Sequence, residues 1–189
     1  MNFRTPLSAL FPGTSGRLLT ALVAHHAADA DGPLTLDELS RDSAVTPTQL
    51  EPALFRLGLL GLIAPRRKGE PVLLVTGHIA WDALRRLTDL RESVVDMVRE
   101  RARTHLRPAP DHLAMKGAVV DGTASHPADL LELIVVPPAT APADWHHGLA
   151  DLVAQLSVDL GNVVVHHSAH DTGEAEAMGE GKAVRVLPW

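Results

Sequence analysis

Several polar side chains near the middle of the chain are of the types that read base-pair edges. They lie in a segment that begins Thr46-Pro47-Thr48-Gln49 and continues to Arg56. Glutamine can make two hydrogen bonds to adenine, and threonine can contact a phosphate or the thymine methyl group. If the segment is a helix, its amino-terminal turns lie where a recognition helix comes nearest the bases. The residues therefore predict contacts with duplex DNA through Thr46, Thr48, Gln49 and Arg56.

A short run of cations follows this segment. Arg66, Arg67 and Lys68 lie between two apolar runs, residues 62–65 and 71–75. Apolar runs around a charged, glycine-containing tip are typical of a β-hairpin. Cations at such a tip can contact the DNA backbone or the minor groove. We therefore expect these three residues to complete a DNA-binding surface, the alternative being a solvated basic turn on a three-helix core that binds no DNA.

Three helices are predicted around these residues. The first spans residues 16–28, where leucine and valine recur at helical spacing behind an N-cap at Thr14 or Ser15. Residues 41–45 are predicted as the turn between the second and third helices, and the hairpin follows the third. This order of elements is that of a winged helix-turn-helix.

Two capping boxes mark where the second and third helices begin. Thr35 and Glu38 can satisfy each other's free backbone amides, and Thr46 and Gln49 can do the same. The third helix is predicted to end near Gly61, because glycine commonly follows the last helical turn.

The amino-terminal sequence resembles the ArsR-like winged-helix regulators over about residues 7–90. The resemblance is carried by Leu10-Phe11-Pro12-Gly13-Thr14, Arg17-Leu18-Leu19, Leu34-Thr35-Leu36-Asp37-Glu38-Leu39, Leu54-Phe55-Arg56-Leu57 and Gly61-Leu62-Ile63. It implies DNA binding, usually as a dimer, with the helix after the wing often at the dimer interface. We therefore expect a bacterial-type transcriptional regulator whose partners are double-stranded DNA and a second copy of the chain.

A long helical pattern follows the predicted hairpin. Apolar residues from Trp81 to Val98 share one broad face of a helix over residues 78–107, which a break near Thr88 could divide. This helix either pairs with a second copy or packs back on the winged helix, and we favour pairing. Arg107-Pro108-Ala109-Pro110 ends it, since proline cannot continue a helix.

Charge divides the chain at the same prolines. The net charge is −6, yet residues 1–107 carry 14 Lys and Arg against 12 Asp and Glu, whereas residues 108–189 carry 3 against 11. Phosphate binding needs local cations rather than a cationic chain. The predicted fold class is α+β, with a winged helix-turn-helix over 1–77, a linking and dimerisation helix over 78–107, and an acidic α/β domain over 108–189.

The acidic domain is predicted to contain four strands and one helix. Strands are predicted over 113–120, 130–136, 162–166 and 183–187, the second of them in the middle of the sheet, with a helix over 143–160 and a loop over 171–182. Lys116-Gly117-Ala118-Val119-Val120-Asp121-Gly122 and the following run from Ala128 to Val136 resemble, in length and apolar pattern, a minimal nucleotidyltransferase domain. That family has a Gly-Ser and a nearby Arg-Gly before an Asp-x-Asp strand.

The residues on which nucleotidyl transfer depends are replaced in this sequence. Ala118 stands in place of the serine, Asp121 in place of the arginine and Leu130 in place of the first aspartate, which leaves Glu132 alone. One carboxylate cannot build a two-metal site. We therefore expect a degenerate domain without catalytic activity that serves a small-molecule or protein effector. The alternatives are an active transferase and an antitoxin-like protein-interaction module.

Histidines are the remaining candidates for metal chemistry. They form the pairs His25-His26, His146-His147 and His166-His167, the last followed by His170-Asp171. Adjacent residues in a strand face opposite ways, so we expect no metal and no other cofactor. The chain has no cysteine and no apolar stretch long enough to cross a bilayer. We therefore expect a cytoplasmic protein without a membrane partner.

Overall fold

The computed structural model describes residues 1–28 and 32–187. Within these residues it contains eight helices and one four-stranded mixed sheet, which confirms the predicted α+β class. The chain divides into two compact units. The N-terminal unit is Thr5–Asp89, and the C-terminal unit combines Met1–Arg4 with the chain from Leu90 onwards.

The N-terminal unit is built from five helices around one apolar core. They are α1 (Pro6–Leu10), α2 (Thr14–Ala27), α3 (Leu36–Ser43), α4 (Pro47–Leu59) and α5 (Ala80–Arg86). Leu18, Leu22, Leu39, Leu50 and Leu54 are at most 1% exposed, and they bury one face each of α2, α3 and α4. The short helix α1 has no counterpart among the predicted elements.

The beginnings of these helices confirm one capping box and correct another. The Glu38 amide donates to the Thr35 hydroxyl, and the Thr35 amide donates to the Glu38 carboxylate. The second predicted box is wrong, because the Gln49 amide donates instead to the Thr46 carbonyl, 2.9 Å away. The Thr46 hydroxyl donates to the side-chain oxygen of Gln49, 3.2 Å away.

Two further boundaries differ from prediction. Gly13 (φ 79°), rather than Thr14 or Ser15, precedes α2, and no side chain caps that helix. The turn between α3 and α4 is only residues 44–46, shorter than the predicted 41–45 at its start, because Ala44 adopts the left-handed conformation (φ 51°) that ends α3.

The predicted hairpin forms, with a third segment beside it. Ile63 pairs antiparallel with Leu74, and the Ala64 amide donates to the Leu73 carbonyl at 2.8 Å. Leu34, just before α3, pairs antiparallel with Val72. These bridges hold the charged tip at a fixed place beside α4.

The C-terminal unit contains the sheet. Its strands are β1 (His112–Lys116), β2 (Leu131–Val136), β3 (Val164–Ser168) and β4 (Val184–Leu187), in the order β3-β2-β1-β4. The β2–β3 pair is parallel, and the pairs of β1 with β2 and with β4 are antiparallel. The strand β2 lies in the interior of the sheet, as its apolar sequence predicts.

Three helices complete the C-terminal unit. The helices α6 (Arg91–His105) and α7 (Trp145–Leu160) contribute to the core that includes Leu113, Leu133 and Val135. Beside β2 on the other face, α8 (Thr172–Met178) packs against Ile134 and Val136. This helix lies in the segment predicted as a loop, and it forms because the Asp171 carboxylate accepts the Glu174 amide at 2.8 Å.

The single linking helix predicted over 78–107 is two helices, α5 and α6, which belong to different units. The break falls at residues 87–90, where the sequence allowed one near Thr88. Val94, Val98 and Ala102 of α6 are buried in the core of the C-terminal unit. The apolar stripe that predicted dimerisation along α6 is therefore covered within the unit itself.

The predicted strand over 113–120 ends at Lys116, because Gly117 turns the chain with φ 104°. A Cβ atom at Gly117 would lie 2.7 Å from the Leu130 carbonyl oxygen. Only glycine combines this backbone conformation with this close approach.

Candidate nucleic-acid interface

The amino-terminal turn of α4 presents the predicted base-reading residues to solvent. Thr46, Thr48 and Gln49 are all exposed. The Arg17 guanidinium donates to the Ala44 carbonyl at 3.0 Å and so ties the preceding turn to α2. The short turn and this bond fix the direction in which α4 begins.

The outward face of α4 changes character along its length. Leu50, Leu54 and Leu57 face the core, so the helical period places Thr48, Pro52, Phe55 and Leu59 on the opposite side. Phe55 and Leu59 are 68% and 73% exposed. Arg56 is also exposed, beside this stripe. The helix therefore begins as a polar surface and ends as an apolar one.

Arg66 is engaged within the N-terminal unit. Its guanidinium makes two parallel hydrogen bonds to the Glu51 carboxylate, at 2.9 and 3.0 Å, and two more to the Glu70 carbonyl. Its side chain is only 10% exposed. A guanidinium has five N–H donors, so a single donor is left. This arrangement argues against the predicted DNA contact by Arg66 and makes it the residue that holds the hairpin to α4.

Glu51 is the partner that sequence reasoning missed. The hydrogen bond from Arg66 lowers the pKa of Glu51 below its ordinary value, against the opposing effect of burial. The Gly69 amide, 2.9 Å from the carboxylate, and the charges of Arg66 and Lys68 lower the pKa further. Glu51 and Arg66 are 15 residues apart, and no local pattern pairs them. Arg67 and Lys68 remain exposed at the tip, the two cations there that are open to phosphate.

An apolar groove runs between α4 and the hairpin. Its volume is about 460 Å³, and its apolar lining includes Leu54, Phe55, Leu59, Ile63 and Pro65. Glu51, Arg66 and Lys68 also line it. The groove continues the exposed apolar stripe of α4, so this side of the N-terminal unit can accept an apolar partner.

In the C-terminal unit the Glu132 side chain of β2 is paired with two basic side chains. The Glu132 carboxylate lies 3.0 Å from Nε2 of His167 and 3.8 Å from Nζ of Lys116. Lys116 also donates to the Met178 carbonyl at 2.8 Å. Ala118 and Asp121 lie in the turns after β1. No local sequence pattern predicts that Lys116 and His167 lie beside Glu132, because the three residues belong to three different strands.

Histidines elsewhere take part in packing. The His26 ring stacks on Trp81 with ring centroids 5.0 Å apart, and its Nε2 lies 3.1 Å from the Thr76 carbonyl oxygen. Across the residues that the structure describes, no three His, Asp or Glu side chains converge in a way that could hold a metal ion. In the same part of the chain, no helix is both long enough and apolar enough to cross a membrane.

Comparison with protein-family models, with curated proteins and with solved structures finds no match to this chain.

Proposed function

We propose that the N-terminal unit is a winged helix-turn-helix that binds duplex DNA and that the protein is a transcriptional regulator. The observation that carries the proposal is the exposed beginning of α4, with Thr46, Thr48 and Gln49 free of the core after a short turn. A helix placed in this way presents its first turns to the major groove.

The residues of the proposed interface have three roles: contact with base edges, contact with phosphates and positioning of the hairpin. Gln49 reads a base edge through its amide group, since its oxygen already accepts the Thr46 hydroxyl. Arg67 and Lys68 contact phosphates from the hairpin tip, and Arg56 does so from α4. Arg66 and Glu51 position the hairpin.

A second copy of the chain remains part of the proposal, because two half-sites one helical turn apart suit a symmetric dimer. Val94 and Val98 are buried in their own unit, so the dimer forms through other surfaces. We assign no transferase activity to the C-terminal unit, since Glu132 is a lone carboxylate paired with Lys116 and His167. The unit serves instead as an effector domain.

The experiment is selection of genomic DNA fragments on the purified protein, followed by mobility-shift titration of a retained fragment over a range of salt concentrations. Arg67→Gln with Lys68→Gln removes two phosphate contacts. We expect the affinity to fall about 10-fold or more and the salt slope to decrease by about 2. The matched control is Arg85→Gln with Arg86→Gln, which removes two charges from α5 and should leave both quantities unchanged. Failure to retain any fragment at about 50 mM salt, or equal losses in the two double variants, contradicts the proposal.

A specific observation favours a second candidate, a protein-docking role for the same unit. Phe55, Leu59 and Leu60 are 68%, 73% and 64% exposed, and clustered exposed apolar residues mark interaction sites. Phe55→Gln with Leu59→Gln separates the two functions. If α4 docks a protein, this variant loses self-association or partner binding while the DNA affinity of the Arg67 and Lys68 surface is retained.

A further inference from the structure

A cavity of about 290 Å³ lies in the C-terminal unit between α8, the loop after it, and strands β1 and β4. Three small side chains, Ala114, Ala175 and Ala183, line its apolar part. Its polar lining consists of the side chains of His112, Glu176 and Arg185. None of these six residues takes part in the DNA-binding proposal, which concerns the other unit.

The cavity is distinct from the Glu132 cluster, although both occupy the same side of the sheet. Alternation along β1 places His112, Ala114 and Lys116 on one side, whereas Leu113 and Met115 enter the main core. His112 and Lys116 lie four residues apart along the strand, which corresponds to about 13 Å. The nucleotidyltransferase resemblance concerns the Lys116 end and makes no statement about the His112 end.

His112 is the side chain in the cavity lining whose hydrogen-bonding groups have no partner among the described residues. It is only 3% exposed, and its ring nitrogens make no hydrogen bond to any residue that the structure describes. Burial, assisted by the charge of Arg185, lowers the pKa of His112, so the ring is neutral near pH 7. A neutral imidazole offers one donor and one acceptor. The ring lines the cavity, and because it has no partner within the described part of the chain, its donor and its acceptor are accessible to a ligand there.

Opposite charges stand side by side at the cavity. The Arg185 guanidinium lies 3.2 Å from the Glu176 carboxylate, and their side chains are 56% and 65% exposed. The pair is open to solvent, so a ligand can reach both charges. An anion alone would be repelled by Glu176 and a cation alone by Arg185. A ligand that carries both charges on neighbouring atoms is attracted by each.

We propose that this cavity binds a free α-amino acid with a small hydroxyl-bearing side chain, such as serine or threonine. The carboxylate pairs with Arg185, the ammonium group pairs with Glu176, and the side chain enters among Ala114, Ala175 and Ala183. The side-chain hydroxyl satisfies His112. The volume is at the lower end of the range for small-molecule pockets, about 300–1,000 Å³, which suits an amino acid better than a nucleotide.

Calorimetric titration of the full chain with L-serine and L-threonine tests the site. N-acetyl-L-serine lacks the ammonium charge and L-serinamide lacks the carboxylate, so both should bind at least about 10-fold more weakly, the loss expected for one hydrogen-bonded charge. Arg185→Gln and Glu176→Gln should weaken L-serine binding by a similar factor. His167→Gln and Glu132→Gln, at the other end of the same side of the sheet, are the matched controls and should bind L-serine as the unaltered chain does.

Two results overturn the proposal. One is that neither amino acid binds the unaltered chain with a Kd below about 10 mM. The other is that binding persists unchanged in both Arg185→Gln and Glu176→Gln. Because the replaced side chains are more than half exposed, the variants should fold, and near-ultraviolet circular dichroism of buried Trp145 verifies this. DNA binding is measured separately, so failure of either proposal leaves the other standing.

Discussion

At the scale of single residues, neighbours of the same type have different roles. Arg66 and Arg67 are adjacent cations of one predicted tip. Arg66 is hydrogen-bonded to Glu51 and Glu70, whereas Arg67 is exposed to solvent. The sequence predicts the tip and its charge because both are local. It cannot predict which cation is neutralised, because Glu51 lies on a different element. The same limit applies to Glu132, whose partners come from two other strands.

Gly117 supplies the prediction at this scale. Gly117→Ala places a methyl group 2.7 Å from the Leu130 carbonyl oxygen at φ 104°, whereas Gly181→Ala meets nothing within 4 Å at φ 69°. Both variants incur the cost of a positive φ, about 1 kcal/mol for Gly181→Ala, and more for Gly117→Ala because its φ lies outside the left-handed region centred at about +57°. Gly117→Ala should lose an additional ~1–3 kcal/mol in free energy of unfolding, the usual cost of a forced overlap. Urea denaturation followed through Trp145 measures the difference, and equal losses in the two variants would show that the close contact has no energetic effect.

At the scale of elements, sequence patterns located most helices and strands but misplaced several of their ends. The box at Thr35 formed as predicted, since its partners are three residues apart and exposed. The capping box at Thr46 does not form, because the Gln49 amide donates to the Thr46 backbone carbonyl instead of to the Thr46 hydroxyl. The Gly and Glu content of residues 171–182 favours a loop, although Asp171 and Glu174 have the spacing of a helix cap. Composition was a weaker guide there than spacing.

The hairpin makes a pH-dependent contribution to stability. Arg66 lowers the pKa of Glu51 in the folded state. The ionised Glu51 carboxylate therefore adds fully to the free energy of unfolding above its ordinary pKa of 4.5, and this stabilisation is lost as the pH falls through the lowered pKa of the folded state. Glu51→Gln should therefore destabilise the N-terminal unit at pH 7 by about 1.5–3 kcal/mol, the range for hydrogen bonds to charged groups. The difference between the unaltered chain and the variant should shrink as the pH falls below 4.5.

Urea midpoints at several pH values, read from Trp81 fluorescence, measure this effect. Asp82→Asn is the control, since the Asp82–Arg85 pair is solvent-exposed and such pairs contribute little. A stability difference for Glu51→Gln that stays constant from pH 7 to pH 3 would refute the assignment of the lowered pKa to the Arg66 bond.

At the scale of the whole molecule, the chain is two compact units that are both net acidic, with 8 Lys and Arg against 9 Asp and Glu in the N-terminal unit and 9 against 14 in the C-terminal unit. The charge pattern predicted two modules, but it placed the boundary at the prolines near residue 108 rather than at Leu90. The reason is that α6 is rich in charge on its exposed side while Val94, Val98 and Ala102 enter the core of the C-terminal unit. Hydrophobic periodicity shows that a helix has an apolar face, but not which core receives that face.

Each unit contains a buried tryptophan that can report on it alone. Trp81 is 1% exposed in the N-terminal unit, where its indole N–H donates to the Val75 carbonyl at 2.9 Å. Trp145 is 3% exposed in the C-terminal unit and donates to the Pro108 carbonyl at 2.9 Å. With Trp189→Phe as a common background, Trp145→Phe leaves Trp81 as the reporter, and Trp81→Phe leaves Trp145.

We predict that the two units unfold as separate cooperative transitions. Glu51→Gln should move the transition seen by Trp81 and leave that seen by Trp145 unchanged within about 0.5 kcal/mol, the additivity expected of independent sites. Gly117→Ala should do the reverse. Crossing each variant with each reporter gives four urea curves, in which the reporter of the unaltered unit is the internal control. If either substitution shifts both reporters equally, the chain unfolds as one cooperative body, and the division at Leu90 is one of contacts and not of stability.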